Sequence, residues 1–170
     1  MNGTRTYLDY NATAPLRPEA RAAMVAALDV TGNPSSVHAE GRAARALVEQ
    51  ARDEVAALVG GKPSEIVFTS GASESGNWVL RRSWQTVYYS DVEHAAVRAP
   101  CLAADGRLVR LPVGPDGTID AAHLAAALTE RAPGAVGQGL LVVQAANNET
   151  GVLQSVADMA AMARTHGVAV

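Results

Sequence analysis

The 170-residue chain contains one cysteine, Cys101, and no group of cysteines and histidines at metal-ligand spacing. An internal disulfide is therefore excluded, and we expect no metal site. No apolar stretch is long enough to span a bilayer, and the N-terminus lacks the apolar core and cleavage pattern of a signal peptide. The formal net charge of -3 leaves no excess of basic residues for nucleic acid. These absences predict a cytoplasmic protein that binds neither membranes nor nucleic acid.

Hydrophobic residues make up 48% of the chain and charged residues 18%, and the length is that of one domain. This composition is typical of a soluble globular domain with a core of its own. We find no internal repeat, low-complexity tract or linker.

Strand and helix patterns alternate from Ile66 onward, which predicts a parallel α/β sheet with short right-handed crossovers. Ligands of such sheets lie outside the carboxyl ends of the strands. The predicted strands are Thr6–Tyr10, one from Ile66 to about Ser70, Thr86–Ser90, Arg107–Leu111, Gly139–Gln144 and one beginning at Gly167; the predicted helices are Pro18–Leu28, Val37–Leu58, 73–84, one after His94, one capped by Asp120 that ends near Leu128, and one capped by Ser155 that ends near Thr165.

The stretch from Ile66 to Asn77 predicts a strand, a tight turn and a helix start near Ser73. The first N–H groups of a helix have no intrahelical partner and favour an anion such as phosphate. Gly71 would let the backbone approach the anion, and further donors would come from the hydroxyls of Thr69, Ser70, Ser73 and Ser75. An equally weighted alternative is that Ser73 only caps the helix, with Glu74 assisting in its first turn.

Two more polar stretches follow apolar runs, Asp91–His94 and Ala146–Gly151. We expect them to meet the phosphate-binding stretch at the same sheet edge. The His94 ring could stack on an aromatic ligand or exchange a proton near neutral pH. The Asn148 amide could donate to a phenolate-like oxygen. A cap or surface role for His94 and a turn role for Asn148 are the alternatives.

The sequence resembles a known family, the cysteine desulfurases of the class V aminotransferase group of pyridoxal-phosphate enzymes. The resemblance covers nearly the whole chain. It rests on five motifs in the family's order: Tyr7–Pro15, Gly32–His38, Ile66–Asn77, Glu93-His94 and Asn147–Gly151. These motifs are specific to the group, and separate a desulfurase from a selenocysteine lyase or another lyase less securely.

The resemblance implies a role for each matching position. Ala72 and Ser73 correspond to the pair that binds the phosphate of pyridoxal 5'-phosphate through backbone N–H and hydroxyl groups. His94 corresponds to the catalytic histidine that stacks on the pyridine ring and is proposed to move protons, and Asn148 to the asparagine that contacts the ring's phenolic oxygen. The rim of the substrate site is a weaker correspondence and involves Ala12, Thr13 and Asn33.

The resemblance also implies a fold and domain organisation. We expect a mixed, mostly parallel sheet flanked by helices, part of the large domain of an aspartate-aminotransferase-like (fold type I) enzyme. Residues 1–16 would contribute to the active-site rim and small domain, and residues 17–170 would form the N-terminal part of the large cofactor-binding domain. The implied assembly is a homodimer.

The implied reaction converts L-cysteine to L-alanine and leaves an enzyme-bound persulfide. A sulfur-acceptor or scaffold protein would take up that sulfur for iron–sulfur clusters or other products. The alternatives are a selenocysteine lyase or other lyase of the group and, in a different class, a non-catalytic dimerisation or binding module.

Such an enzyme binds its cofactor covalently through a lysine, and this chain has one lysine, Lys62. We place Lys62 at the opposite end of the sheet from the site, where it is a poor candidate. The family's lysine, the aspartate that pairs with the pyridinium nitrogen and the nucleophilic cysteine are all expected beyond Val170. Cys101 lies at no family motif and is interpreted as a buried structural thiol. The chain as given is therefore expected to be an inactive N-terminal fragment.

Overall fold

The computed structural model describes residues 6–130 and 138–170. The chain divides into two compact units, Met1–Phe68 and Thr69–Val170. Within the described ranges the elements in chain order are α1 (Pro18–Leu28), α2 (Ala39–Val59), a 3-10 turn (Pro63–Glu65), α3 (Ala72–Leu80), β1 (Thr86–Ser90), α4 (Ala95–Leu102), β2 (Arg107–Leu111), α5 (Ala121–Thr129), β3 (Gly139–Leu141), α6 (Val156–Thr165) and β4 (Val168–Ala169).

The described residues of the first unit contain two α-helices whose bounds follow local sequence signals. Helix α1 begins at Pro18, whose missing N–H costs nothing in a first turn, and has the predicted bounds. Helix α2 begins after His38, whose Nδ1 accepts a hydrogen bond from the Gly41 N–H at 3.3 Å. It ends at Gly60, which has a left-handed φ of 68°. The prediction of a helix over 37–58 is therefore confirmed to within two residues.

Two predicted strands of this unit are wrong. Residues 6–9 have no regular structure, and residues 10–12 form a turn. The Tyr7 hydroxyl donates to the carbonyls of Asp9 (2.6 Å) and Thr13 (3.0 Å) across this turn. The run after the 3-10 turn also forms no strand, and the Ile66 carbonyl accepts from the Arg52 guanidinium. A β pattern needs a neighbouring strand, and neither run pairs with one in the described part of the chain.

In the second unit, the described residues form a four-stranded sheet in the order β2-β1-β3-β4, and all three pairings are parallel. The predicted parallel α/β class is confirmed. Strands β1 and β2 have their predicted bounds and pair from Thr86 opposite Arg107 to Ser90 opposite Leu111. Strand β3 is shorter than predicted and ends at Leu141.

Helices cover both faces of this sheet. Successive residues of β1 alternate between the two sides, so that Val87 and Tyr89 pack with one cluster and Tyr88 with the other. The first cluster consists of Leu80, Trp84, Val87, Tyr89, Cys101 and Leu140, and the second of Tyr88, Leu111, Ile119, Leu124, Leu128, Leu141, Met159, Ala163 and Val168. Burial of each fully buried leucine in these clusters stabilises the fold by about 1.5–3 kcal/mol relative to leaving that side chain exposed.

Cys101 lies in the first cluster with no exposed surface. Burial, with a smaller effect of the Glu93 charge, raises the pKa of its thiol to about 11. The prediction of a buried structural thiol is confirmed.

Of the two capping residues predicted in this unit, Asp120 and Ser155, only Asp120 makes capping hydrogen bonds. Asp120 Oδ1 accepts from the N–H groups of Ala122 (2.9 Å) and His123 (3.0 Å), as predicted. Ser155 occupies the cap position of α6, but its hydroxyl makes no capping hydrogen bond. Helix α3 is shorter than the predicted 73–84, and past its end the Trp84 indole donates to the Val79 carbonyl at 2.8 Å.

Within the described ranges no helix is long and apolar enough to cross a membrane.

Candidate functional site

Helix α3 begins with unpaired backbone donors. Gly71 is its N-cap, and the first helical hydrogen bond runs from the Ser75 N–H to the Gly71 carbonyl at 3.1 Å. The N–H groups of Ala72, Ser73 and Glu74 precede that bond and make no hydrogen bond in the described part of the chain. A Cβ built on Gly71 would meet no atom within 4 Å, so the space beside these donors is open. Such a helix start favours an anion.

Ser73 is the one hydroxyl of this stretch left without a partner among the described residues. The Thr69 and Ser75 hydroxyls bond each other at 2.7 Å, and the Ser70 hydroxyl donates to Glu74 Oε2 at 2.6 Å. The hydrogen bonds that the hydroxyl and the N–H of Ser70 donate to Glu74 lower the pKa of the Glu74 carboxyl. The alternative that Ser73 caps the helix is wrong, because the helix begins one residue earlier and Gly71 is its cap. The Ser73 side chain is exposed and free to bind a ligand.

His94 and Asn148 line one cleft of about 340 Å³. The loop after β1 forms one wall and the loop after β3 the other. The residues that line it are Asp91, Val92, Glu93, His94, Ala95, Asn147, Asn148, Glu149 and Thr150. Because β1 and β3 are parallel neighbours, their carboxyl ends bring these two loops together.

His94 is also the N-cap of α4. Its Nδ1 accepts a hydrogen bond from the Ala96 N–H at 3.1 Å. A neutral ring that accepts at Nδ1 carries its proton on Nε2. The predicted alternative that His94 caps a helix is therefore confirmed, and the same residue also lines the cleft.

The starts of α3 and α4 lie at the same level. A Cβ on Gly76 would lie 3.8 Å from Val97 Cγ2, and the later residues Leu80 and Cys101 share a core cluster, so the two helices run parallel. Ser73 and His94 each precede that contact by three residues, which is slightly less than one helical turn. The start of α3 thus lies at the same sheet edge as the cleft, although Ala72 and Ser73 do not line the cleft.

Three side chains tie the two cleft loops together. Glu93 Oε1 accepts from the Gln144 N–H at 3.1 Å, and the Gln144 side-chain amide donates back to the Val92 carbonyl. Asn147 Nδ2 donates to the same carbonyl at 3.0 Å. None of these three residues has a predicted role in the site. The sequence offers one indication for each of them. Glu93 and Asn147 each lie next to a predicted site residue, and Gln144 ends an apolar run.

The two adjacent asparagines of the second loop differ in their bonding. Asn147 is 6% exposed, and its Oδ1 accepts from the Glu149 N–H (3.0 Å), the Thr150 N–H (2.9 Å) and the Thr150 hydroxyl (3.1 Å). The half-buried Asn148 side chain makes no hydrogen bond with the described residues. Asn147 therefore fixes the loop and leaves the amide of Asn148 available at the cleft.

Glu93 is a buried carboxyl, 7% exposed, beside the cap of α4. Burial raises its pKa above the ordinary value, and the hydrogen bond from the Gln144 N–H opposes that shift. The folded chain keeps a proton on Glu93 at pH values where the unfolded chain has lost it. This group therefore makes the folded state less stable as the pH rises from the ordinary carboxyl pKa through the raised one.

We expect Glu93→Gln to remove this pH dependence, because its amide oxygen still accepts from Gln144 and carries no charge. The free energy of unfolding of the variant relative to the native chain should rise across that pH window and then level off. Urea titrations at a series of pH values measure it, with the exposed Glu149→Gln on the same cleft as control. A difference that does not change with pH would contradict the expectation.

The remaining residues of interest lie in the first unit. Ala12 and Thr13 belong to the turn at Asp9, and Asn33 Oδ1 accepts from the Ser35 N–H at 2.9 Å. Their place at a substrate rim stays a prediction. Lys62 forms an exposed ion pair with Glu65 at 3.9 Å. The predicted place of Lys62 at one end of the sheet relied on a strand at Ile66 that is not formed, and it stays a prediction without that support. In the described ranges no three His, Cys, Asp or Glu residues group as metal ligands would.

Comparison with known proteins gives a family match. Residues 6–170 match the model of the family described as aminotransferase class-V. A cysteine desulfurase IscS of Dictyoglomus turgidum is 35% identical over 95% of this chain, and a selenocysteine lyase of Bos taurus is 30% identical over 94%. The alignments cover 42% of each of these two proteins, so the chain spans less than half their length.

Solved structures agree with the fold. A NifS-like protein from Rickettsia africae superposes with a TM-score of 0.84 at 28% identity, covering 95% of this chain and 45% of that one. A second structure named NifS-like protein gives a TM-score of 0.84 at 30% identity, covering 96% of this chain and 46% of that one. The predicted fold class, a mixed, mostly parallel sheet flanked by helices as in fold type I enzymes, is confirmed, and all strand pairings in the described sheet are parallel.

Proposed function

The chain belongs to the class-V aminotransferase family, and on that premise we propose that it is the N-terminal part of a pyridoxal-phosphate-dependent cysteine desulfurase. The observation that carries the proposal is one sheet edge that presents three groups able to bind a ligand. These are the open start of α3, the His94 ring and the free amide of Asn148. Relatives named cysteine desulfurase, at 35–40% identity, support this reaction over others of the family.

The donors present suit the cofactor. The N–H groups of Ala72 and Ser73 and the Ser73 hydroxyl would bind its phosphate, since all three lack partners in the described structure. Asn148 Nδ2 would donate to its phenolic oxygen, and the His94 ring would lie against its flat face. When bound, pyridoxal phosphate supplies an electron sink that stabilises negative charge developing on the substrate's α-carbon.

The residues of this chain would then bind, orient and exchange protons. The cap hydrogen bond keeps His94 Nδ1 occupied, so Nε2 is the atom at which the ring would donate a proton. The bonds of Glu93, Gln144 and Asn147 would hold the His94 and Asn148 loops at a fixed separation, which favours reaction by orientation.

The proposed overall reaction takes L-cysteine and an enzyme thiol to L-alanine and an enzyme persulfide. The carbon–sulfur bond breaks, a sulfur–sulfur bond forms, and the thiol's proton replaces sulfur on the substrate carbon. The persulfide would pass to a sulfur-acceptor or scaffold protein for iron–sulfur clusters or other products. We further propose a homodimer in the cytoplasm. The lysine, pyridinium-pairing aspartate and nucleophilic cysteine would come from outside this chain, which alone would not turn over.

A selenocysteine lyase is the second candidate, favoured by the Bos taurus relative of that name. The two activities are separated by measuring alanine formation from L-cysteine and from L-selenocysteine with the full-length protein. Turnover of selenocysteine alone would replace the desulfurase proposal.

We expect Ser73→Ala to weaken retention of pyridoxal phosphate by about 10- to 150-fold in the full-length protein. The reason is the loss of one charge-assisted hydrogen bond to the phosphate, worth about 1.5–3 kcal/mol. Equilibrium dialysis followed by cofactor absorbance measures the dissociation constant.

Ser155→Ala is the matched control, because Ser155 also begins a helix of this unit with a hydroxyl that makes no capping bond. It should leave cofactor affinity unchanged. Equal affinity of Ser73→Ala and the native protein would remove Ser73 from the phosphate site.

A further inference from the structure

A second and larger cleft lies at the opposite edge of the sheet from the His94 cleft. Its volume is about 590 Å³, and it opens where α3 and α4 end and their connections lead into β1 and β2. Three arginines line it, Arg81, Arg82 and Arg107, and we call it the arginine cleft. Asp105 is the one acidic residue among its described lining residues. The positive charge is local, because the whole chain has a net charge of -3.

The guanidinium groups of this cleft are poorly neutralised by the protein itself. Arg81 and Arg82 have no carboxylate within ion-pair distance in the described part of the chain. Arg107 Nη2 lies 3.7 Å from Glu130 Oε2, and both side chains are more than half exposed, so this pair is weak. Uncompensated like charges that share one cleft favour binding of an anion from solution.

The cleft is also partly preorganised. The Arg82 guanidinium lies 5.0 Å from the centroid of the Trp84 ring, and that ring is buried and anchored by its indole bond to the Val79 carbonyl. Stacking restrains Arg82 while its edge N–H groups stay free to donate. On the floor, a Cβ at Gly106 would lie 2.1 Å from the Trp84 carbonyl, so the backbone can pass there only as glycine. The next residue, Arg107, is fixed by its N–H bond to the Gln85 carbonyl at 2.8 Å.

We propose that the arginine cleft is a binding site for a small molecule with two or more phosphate groups. The volume is that of a small-molecule site, and three forked guanidiniums match several phosphate oxygens rather than one charge. The site is separate from the phosphate-binding start of α3, since the two lie at opposite edges of the sheet.

Isothermal titration calorimetry with inorganic pyrophosphate at low salt tests the proposal on the purified chain. We expect binding at one site that is at least about tenfold weaker in the Arg81→Gln/Arg82→Gln variant. The Arg21→Gln/Arg45→Gln variant removes the same charge from exposed arginines of the first unit and should bind as the native chain does. Citrate, a polycarboxylate of similar size, should bind more weakly than pyrophosphate.

A second readout uses the two tryptophans. In a Trp78→Phe background, emission reports on Trp84 alone, and pyrophosphate should change it because the ligand engages the arginine stacked on that ring. Binding that survives Arg81→Gln/Arg82→Gln, or that falls equally in the control, would overturn the site. Citrate binding as tightly would overturn the phosphate class. Loss of binding in Ser73→Ala alone would place pyrophosphate at α3 and also overturn the proposal.

Discussion

Asn147→Ala is expected to lower the free energy of unfolding by about 2–4 kcal/mol. The side chain is buried and takes part in at least four hydrogen bonds with the described residues, three accepted from Glu149 and Thr150 and one donated to the Val92 carbonyl. Alanine would leave the N–H groups of Glu149 and Thr150 without this acceptor, while the Val92 carbonyl keeps its bond from the Gln144 amide. Each group left unsatisfied in a buried site costs about 1–3 kcal/mol. Water can reach part of the loop, so we expect the lower half of the summed cost.

The neighbouring Asn148→Ala is the matched control, since it removes the same amide from a side chain that makes no hydrogen bond with the described residues. Its free energy of unfolding should stay within about 0.5 kcal/mol of the native value. Urea titration measures both. Amide hydrogen exchange should also accelerate at Glu149 and Thr150 in Asn147→Ala alone. Similar losses in the two variants would refute the division of labour between these asparagines.

This division explains how a polar loop can present a free amide in a defined place. Asn147 satisfies the loop's own backbone and attaches it to the loop after β1 through Val92. Glu93 and Gln144 attach the same two loops through further hydrogen bonds. A site residue on a loop needs such support, because orientation errors of about 1 Å are costly in catalysis.

The sequence predicted the second unit well where the pattern and the pairing agree. Strands β1 and β2 have the predicted bounds because Thr86–Ser90 and Arg107–Leu111 lie side by side in the sheet, so their β-forming residues find ladder partners. Asp120 capped the helix it was expected to cap. The meeting of His94 and Asn148 followed from topology alone, since loops that follow adjacent parallel strands share one edge.

The sequence failed where a local pattern depends on a partner. Thr6–Tyr10 and the run from Ile66 have β composition, yet side-chain bonds from Tyr7 and Arg52 take the carbonyls that a ladder would use. The helix start at Ala72 rather than Ser73 depends on Gly71, whose backbone alone forms the cap. The bonds between the cleft loops join residues about 50 positions apart, from Val92 to Asn147, and no local pattern encodes them.

His94→Asn is expected to reduce turnover of the full-length protein by about 10²–10⁴-fold while leaving its stability nearly unchanged. Asparagine is as good an N-cap as any residue, so it can replace His94 Nδ1 as the acceptor for the Ala96 N–H. It has neither the flat ring nor the proton on Nε2, and loss of general acid–base help accounts for the expected factor. His94→Ala should lose the cap as well and cost about 1 kcal/mol of stability.

Three measurements on the same variants separate the roles of this histidine: alanine formation, cofactor dissociation and thermal unfolding. Turnover should fall in both His94 variants, stability in His94→Ala alone, and cofactor retention less than turnover in each. His123→Asn on α5 is the control, because His123 is exposed and its ring makes no hydrogen bond with the described residues. If His94→Asn keeps native turnover, the ring does only what the cap requires and the proposed proton transfer at Nε2 is wrong. If turnover and cofactor retention fall by equal factors, His94 acts through cofactor binding alone.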